Sequence, residues 1–231
     1  MINSAMHYKK TSFFVLFLFL YVTTSCVQNE KKTYLALGDS YTIGESVSEA
    51  DRWPIQLVKK LNEKGFSLSN PDIIAKTGWT TDELQDTLMT QTPMSNYDMV
   101  SLLIGVNNQY RGYPIEQYIK EFEELLISAI SFANNDANNV FVVSIPNYGV
   151  TPFGIQKGEN RIRQELLRYD IIADSISALY SVPFINITPS SEKAKTDDSY
   201  IASDELHPSG KQYCEWVNSI LPIVEDILGD M

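Results

Sequence analysis

An aspartate–histidine pair near the C-terminus is the strongest sign of acid–base chemistry in this sequence. The chain contains two histidines, and His7 lies in an N-terminal segment that we expect to be removed. His207 is then the imidazole that remains, in the stretch SDELHPSG, with Asp204 three residues before it. At this offset one turn of chain can place the carboxylate beside the ring, where it orients the imidazole and stabilises its protonated form. A plainer interpretation stays open, in which Asp204 is a turn residue and His207 marks a helix boundary before Pro208.

A serine follows a strand-like segment near the start of the expected folded region. The stretch TYLALGDSYTIGES, residues 33–46, runs from apolar residues into Gly38, Asp39 and Ser40. A serine hydroxyl becomes a useful nucleophile when a base within hydrogen-bond reach takes its proton, and His207 is the candidate for that base. We expect Asp39 to brace the turn through backbone hydrogen bonds, and we also retain it as a candidate substrate contact.

Three groups could donate hydrogen bonds to the oxyanion that acyl transfer creates. The backbone N–H of Ser40 is one donor if the turn exposes it. Gly78 in KTGW has no Cβ, so its N–H can approach a ligand closely, and Asn107 in IGVNN offers a side-chain amide. Each also has a structural explanation, because Gly78 can be a simple turn glycine and Asn107 can cap the loop that follows.

Strand-like and helical segments alternate along the chain and predict how these residues are positioned. Five short apolar runs, rich in β-branched residues, indicate buried parallel strands at residues 33–37, 72–76, 98–105, 139–146 and 182–187. Apolar residues at spacings of three and four, with capping signals, predict helices at 53–65, 80–88, 114–135, 158–180 and 209–229. This alternation predicts a three-layer α/β/α sandwich with a central parallel five-stranded sheet. Ligands of such sheets bind beyond the carboxyl ends of the strands, where Ser40, Gly78 and Gly105 fall.

The N-terminal residues have the layout of an export signal. Lys9 and Lys10 precede an apolar run over 13–22 and then small residues that end at Cys26. The stretch TTSC resembles a bacterial lipobox, in which the cysteine is acylated, although Thr23 stands where leucine is usual. We expect a signal peptide of lipoprotein type over 1–25, a tether over 26–32 and one domain over 33–231, in an exported protein held at the membrane by lipidated Cys26. A secreted protein with an ordinary cleavage site is the alternative.

Composition argues against several other classes of partner. Two of the 18 basic residues and none of the 29 acidic residues lie in 1–25, so the remainder has 16 basic residues and a net charge of −13. Such an acidic chain disfavours nucleic acid, which binds basic patches. Cys214 is the one cysteine after Cys26, so the sequence offers no intrachain disulfide and no CxxC metal pair.

Taken together, the motifs resemble the SGNH, or GDSL, hydrolase family in their order and rough spacing. GDS lies near the N-terminus, a glycine follows the second strand, GxN follows the third and DxxHP lies near the C-terminus, so that the resemblance runs from Tyr34 to the end of the chain. The α/β-hydrolase family is a poorer match, because Thr42 replaces the last glycine of its G-x-S-x-G motif.

The resemblance implies a flavodoxin-like fold and a serine esterase that needs no metal or organic cofactor. It assigns Ser40 as nucleophile, His207 as base and then acid, and Asp204 as the orienting carboxylate. The oxyanion hole is assigned to the Ser40 N–H, the Gly78 N–H and the Asn107 amide. One departure is Asn108, where many members carry aspartate, at a position that usually supports the loop.

The substrate is not specified by these motifs. We expect a glycan or lipid acyl ester, with an acetylated carbohydrate or a small acyl ester favoured. A lipase, lysophospholipase or thioesterase is the alternative within the family, and a catalytically silent binding lipoprotein or a structural surface protein are alternatives of another class. The loops PNYGVTPFGIQKG and NNQYRGYP supply further candidate substrate contacts: Tyr148, Phe153, Tyr110, Arg111 and Tyr113.

Overall fold

The computed structural model of this chain describes Met1 and residues 30–91 and 93–229. The predicted signal peptide, Cys26 and most of the tether lie outside the described residues. Export and lipidation therefore stay predictions. In the part of the chain that is described, no helix has both the length and the apolar character needed to cross a bilayer.

Five short parallel strands form the centre of the fold. They are β1 (Tyr34–Gly38), β2 (Asp72–Ala75), β3 (Met99–Leu103), β4 (Val140–Val143) and β5 (Phe184–Ile185). All pairings are parallel, and the order across the sheet is β2-β1-β3-β4-β5. The three inner strands β1, β3 and β4 are buried along their whole length, as their apolar sequences predict, whereas the edge strand β2 is partly exposed.

Helices connect the strands and cover the sheet. The long helices are α2 (Trp53–Glu63), α3 (Thr81–Gln91), α5 (Ile115–Phe132), α7 (Glu159–Leu179) and α9 (Gly210–Gly229). The short helices are α1 (Ser40–Ile43), α4 (Val106–Arg111), α6 (Pro152–Lys157) and α8 (Thr188–Ser191). Single 3-10 turns occur at Glu49–Asp51, Ala137–Asn139, Tyr148–Val150, Glu192–Lys195 and Asp198–Tyr200.

The helices form two groups around one hydrophobic core. Helices α2 and α9 pack against each other, and α5 packs against both α3 and α7. The core between them is dominated by large apolar side chains, with Trp53, Trp216, Tyr118 and Phe122 almost fully buried. The predicted α/β/α sandwich with five parallel strands is confirmed.

Strand order places a crevice between β1 and β3. Strand β1 lies between β2 and β3, so the chain leaves β1 toward one edge of the sheet and leaves β3 toward the other. Loops that diverge in this way open a crevice at the carboxyl ends of the strands, where α/β proteins bind ligands. Ser40 follows β1 and Asn107 follows β3, so the two residues flank this crevice.

Candidate active site

A small pocket at the carboxyl edge of the sheet collects most of the predicted site residues. Its volume is about 190 Å³. The lining comes from segments after the first four strands and from the loop before α9: Ser40, Tyr41, Thr77, Gly78, Val106, Asn107, Tyr110, Tyr148, Phe153, Leu206 and His207. Of the candidates for catalysis and oxyanion binding, Asp204 alone does not line the pocket.

Asp204 lies behind His207 and holds it from two sides. The Asp204 Oδ2 atom is 2.6 Å from His207 Nδ1, and Oδ1 accepts a hydrogen bond of 2.9 Å from the His207 backbone N–H. Oδ1 also accepts from the Leu206 N–H at 3.0 Å. Because Asp204 contacts Nδ1, the other ring nitrogen, Nε2, is left for chemistry in the pocket.

A serine from a distant loop completes the contacts of this carboxylate. The Ser46 hydroxyl donates to Asp204 Oδ2 at 2.7 Å across 158 residues of sequence. Partial burial raises the pKa of Asp204, but the hydrogen bonds from Ser46, His207 and Leu206 outweigh burial and lower the pKa to about 2. Asp204 is therefore ionised at neutral pH, as the stabilisation of a protonated imidazole requires.

Ser40 is the first residue of α1 and is nearly buried. Five per cent of its surface is exposed, against 8% for His207. The ring of Tyr41, the next residue, meets the His207 ring edge-on at a centroid distance of 5.6 Å, which keeps the imidazole beside this turn. Among the described residues no hydrogen bond joins the Ser40 hydroxyl to His207. In enzymes without substrate the hydrogen bond between nucleophile and base is often long, and it shortens when substrate binds.

Gly78 adopts a backbone conformation that favours glycine and leaves its N–H available. Its φ is 88°, in the region where a side chain is strained. Its carbonyl accepts a 2.6 Å hydrogen bond from Arg111 Nη2, which fixes the peptide plane on one side. The N–H groups of Gly78 and Ser40 form no hydrogen bond with another described residue, so both are free to meet a ligand.

Asn107 and Asn108 lie together in α4 and have different contacts. Asn107 Nδ2 donates to the Trp79 carbonyl at 2.9 Å, which orients the amide and leaves its second hydrogen free. Asn108 is fully buried. Its Oδ1 atom accepts a hydrogen bond of 3.0 Å from the Thr81 N–H, and its Nδ2 atom donates one of 2.6 Å to the Thr81 hydroxyl. The residue at the departure from the family pattern thus supports the loop, as the resemblance implied.

Asp39 is a structural residue, and its candidacy as a substrate contact is wrong. Its side chain is fully buried and does not line the pocket. Its Oδ1 atom accepts from the Tyr41 N–H at 3.0 Å and so caps α1, in agreement with the expected brace of the turn. Burial raises the pKa of Asp39 to about 7.

The three aromatic candidates for substrate contact form one wall of the pocket. Phe153 lies between the other two, with ring centroids 6.1 Å from Tyr110 and 6.4 Å from Tyr148. Tyr110 is half exposed, whereas Tyr148 is buried and donates its hydroxyl to Gln109 Oε1 at 2.9 Å. Tyr148 therefore offers its ring to the pocket, not its hydroxyl.

Both segments that the sequence presented as loops contain short helices. Helix α4 occupies most of NNQYRGYP, and α6 occupies the second half of PNYGVTPFGIQKG. The signal for α6 is present in the sequence, because Thr151 caps it by accepting from the Gly154 N–H and Pro152 stands at its first position. Arg111 and Tyr113 do not line the pocket and lie in a neighbouring groove.

Four pocket residues and one support were not identified from sequence. Tyr41 and Leu206 directly adjoin Ser40 and His207, and Thr77 and Val106 directly adjoin Gly78 and Asn107, so adjacency alone could have identified all four. Ser46 had no signal, because an exposed loop serine carries no pattern that points to an aspartate far along the chain. Within the described residues, no three His, Cys, Asp or Glu side chains are grouped so as to hold a metal ion.

Comparison with known proteins gives the family. A family model described as the GDSL-like Lipase/Acylhydrolase family matches residues 36–213. No curated protein matches the chain.

Solved structures with this fold share little sequence with the chain. TesA superposes with a TM-score of 0.67 at 15% identity, covering 85% of this chain and 99% of its own. A family 3 carbohydrate esterase from Clostridium thermocellum superposes with a TM-score of 0.61 at 20% identity. The match covers 87% of this chain and 98% of the esterase. A catalytic mutant of Axe2, an acetylxylan esterase from Geobacillus stearothermophilus, superposes with a TM-score of 0.55 at 18% identity. The match covers 86% of this chain and 94% of the mutant. At these identities the likeness establishes the fold, and the match over residues 36–213 shows that the chain belongs to the GDSL-like lipase/acylhydrolase family, as an ester hydrolase of the SGNH type.

Proposed function

We propose that this chain hydrolyses short-chain acyl esters of carbohydrates through a Ser40–His207–Asp204 triad. The observation that carries the proposal is the meeting of Ser40, His207 and two oxyanion donors, Gly78 and Asn107, in one pocket. The contact of Asp204 with His207 Nδ1 supports it, because this contact presents Nε2 to that pocket.

The first half of the reaction forms an acyl-enzyme. His207 Nε2 takes the proton of the Ser40 hydroxyl as Oγ attacks the acyl carbonyl carbon. The resulting oxyanion is stabilised by the N–H groups of Ser40 and Gly78 and by the Asn107 amide. The protonated imidazole, stabilised by Asp204, then donates its proton to the leaving alcohol as the ester C–O bond breaks.

The second half returns the enzyme to its starting state. His207 removes a proton from a water molecule, which attacks the acyl carbon, and the same oxyanion donors stabilise the second intermediate. Collapse of that intermediate releases the carboxylic acid and returns the proton from the imidazole to Ser40 Oγ.

Pocket size supports a short acyl group. The volume of about 190 Å³ is below the roughly 300–1,000 Å³ of pockets that enclose drug-sized ligands. Tyr110 and Phe153 at the rim provide ring surfaces against which a sugar can lie. Among proteins with this fold, the Clostridium thermocellum and Geobacillus proteins are a carbohydrate esterase and an acetylxylan esterase.

Hydrolysis of p-nitrophenyl esters of increasing chain length tests the proposal. We expect turnover of the acetyl ester, a steep loss with longer chains, and no turnover by Ser40→Ala. Preference for long chains would favour a lipase, and the absence of turnover of any ester, acetylated glycans included, would favour a silent binding protein.

Substitution of Asn107 tests the oxyanion hole. We expect Asn107→Ala to lower kcat by about 10²–10³ with a smaller effect on KM, because the amide contacts charge that develops in the transition state. Asn107→Ala also loses the bond to Trp79, so its thermal unfolding is measured alongside. Wild-type kcat in a folded variant would remove Asn107 from the mechanism.

We also propose that the mature protein is an exported lipoprotein anchored through Cys26. The support is the sequence of residues 1–26, with its two lysines, apolar run and TTSC. Radiolabelled palmitate should be incorporated by the wild type and not by Cys26→Ala, and equal labelling of both would refute the anchor.

A further inference from the structure

A second, larger concavity adjoins the proposed active site. This groove has a volume of about 420 Å³ and shares Tyr110 with the pocket of Ser40. We call it the arginine groove, because its lining includes three arginines and three tyrosines: Tyr110, Arg111, Tyr113, Arg161, Arg168 and Tyr169. The chain has five arginines, so more than half of them line one groove of an acidic protein.

Two of the three arginines have partners within the protein. Arg111 donates to the Gly78 carbonyl at 2.6 Å and lies 3.2 Å from Glu83. Arg161 lies 3.0 Å from Glu165, its neighbour one turn along α7. These contacts hold both guanidinium groups in place at the groove.

Arg168 is the arginine with unused capacity. Its side chain is exposed, and in the described part of the chain it forms no ion pair and no side-chain hydrogen bond. Glu165 is the one acidic residue in the lining, and it is held by Arg161 and by Gln109 Nε2 at 2.6 Å. Because Glu83 pairs with Arg111 and Glu165 with Arg161, the positive charge of the groove that has no acidic partner is the one on Arg168.

The chemistry of this lining suits an anionic group carried on a ring-shaped ligand. A guanidinium group binds a carboxylate through two parallel hydrogen bonds, which an ammonium group cannot match in geometry. Tyrosine combines an apolar ring face with a polar edge, which suits a ligand that has one apolar and one hydroxylated side. In a protein that otherwise repels anions, such a groove would concentrate one at this position.

We propose that the arginine groove binds a carboxylate-bearing sugar of the substrate, so that the enzyme deacylates an acidic oligosaccharide. This inference rests on the proposed function and specifies its substrate class. Tyr110 belongs to both concavities, so the acidic sugar would lie beside the acylated one, with its carboxylate on Arg168.

Binding to a variant that cannot turn over its ligand tests the groove without relying on catalysis. Titration calorimetry on Ser40→Ala would compare trigalacturonate with neutral galactotriose. We expect trigalacturonate to bind several-fold more tightly, and Arg168→Gln in the same background to lower that preference about fivefold or less, the range of an exposed ion pair. Added salt should weaken the preference in parallel.

Arg163→Gln is the matched control. Arg163 lies on the same helix α7 but outside the groove, 3.4 Å from Glu192, so its loss changes the net charge equally. We expect this variant to keep the preference for trigalacturonate. Equal binding of the two trisaccharides, no binding of either, or equal effects of both substitutions would overturn the inference.

Two further comparisons separate this inference from its alternatives. Tighter binding of glucose 6-phosphate than of glucuronate would contradict the carboxylate assignment and indicate a phosphate ligand. With wild-type enzyme, the kcat/KM for a mono-O-acetylated disaccharide whose unacetylated sugar is glucuronate is compared with that for the same disaccharide carrying glucose in its place. The ratio of the first to the second should exceed one and fall in Arg168→Gln. If p-nitrophenyl acetate is hydrolysed while this ratio is one, the groove assignment fails and the proposed esterase stands.

Discussion

Asp204 uses its two carboxylate oxygens for different tasks. Oδ1 accepts from the backbone N–H groups of Leu206 and His207 and so shapes the loop that carries the histidine. Oδ2 contacts His207 Nδ1 and also accepts from the Ser46 hydroxyl. We therefore propose that Ser46 is a positioning residue, since it contacts the oxygen that lies beside the imidazole.

Removal of the Ser46 hydroxyl should slow the reaction without weakening substrate binding. We expect Ser46→Ala to lower kcat about fivefold with KM little changed, the effect of about 1 kcal/mol for one lost hydrogen bond. Ser46 has a φ of 62°, so Ser46→Gly should lose the same activity while relieving backbone strain. Steady-state kinetics and thermal unfolding of both variants check this.

Ser48→Ala is the control for Ser46. Ser48 is exposed on the same loop, and its hydroxyl donates at 2.7 Å to Asp51, which is not part of the site. This variant should keep wild-type kcat. An unchanged kcat in Ser46→Ala, or an equal loss in Ser48→Ala, would contradict the positioning role.

At this scale the sequence predicted residues that belong to motifs and missed those that do not. Ser40, Asp204 and His207 were identifiable because their types and order imply a reaction, and the structure brings them together. Ser46 was not, because its role depends on a contact between segments 158 residues apart. Sequence proximity to Ser40 suggests Asp39 as a substrate contact, but proximity does not reveal that the side chain is fully buried.

Among the elements, the turn from β3 into α4 depends on Gly105. Its φ is 125°, and a Cβ there would lie 2.6 Å from the Tyr118 ring. The turn delivers Asn107 to the pocket, so the glycine supports the proposed oxyanion donor through both its conformation and its lack of a side chain.

Gly105→Ala should cost both stability and activity. We expect the free energy of unfolding to fall by more than the roughly 1–2 kcal/mol that a left-handed backbone alone costs, because the added methyl group also displaces Tyr118. Gly112→Ala is the control, since Gly112 has a φ of 68° with open space around a Cβ, and should show the backbone cost alone. Equal unfolding free energies for the two variants in urea would refute the steric argument.

Long periodic elements were predictable from sequence, and short ones were not. The five long helices and the positions of all five strands follow from their apolar patterns, since burial on a sheet imposes those patterns. Strand β5 is two residues long although six were predicted, because its pairing ends where the chain turns into α8. Helices α4 and α6, of six residues each, are too short for a periodic pattern.

At the scale of the whole molecule, buried carboxyl groups make stability depend on pH. Burial raises the pKa of both Asp39 and Asp170 to about 7. In the unfolded chain these groups ionise near pH 4, so between about pH 4 and 7 the folded state holds more protons, and stability falls as pH rises. Asp204, with its pKa lowered to about 2, acts in the opposite sense and loses its stabilising effect as pH falls from about 4 to 2.

Asp170→Asn should flatten this dependence. The amide can still accept the 2.9 Å hydrogen bond from the Ile145 N–H but has no proton to lose. Urea unfolding at pH 4, 5.5 and 7 should therefore show a smaller decline in the free energy of unfolding for the variant than for the wild type. Parallel declines would show that Asp170 ionises normally in the folded protein.

Labelling by an activated organophosphate tests the central claim most directly, since a nucleophile activated by His207 attacks phosphorus as it attacks an ester carbonyl. Incubation with diethyl p-nitrophenyl phosphate followed by peptide mass spectrometry should find one diethylphosphoryl group per chain, on Ser40, with esterase activity lost in proportion. His207→Ala should slow the labelling strongly. Modification at another residue, or full activity in enzyme labelled at Ser40, would contradict the account.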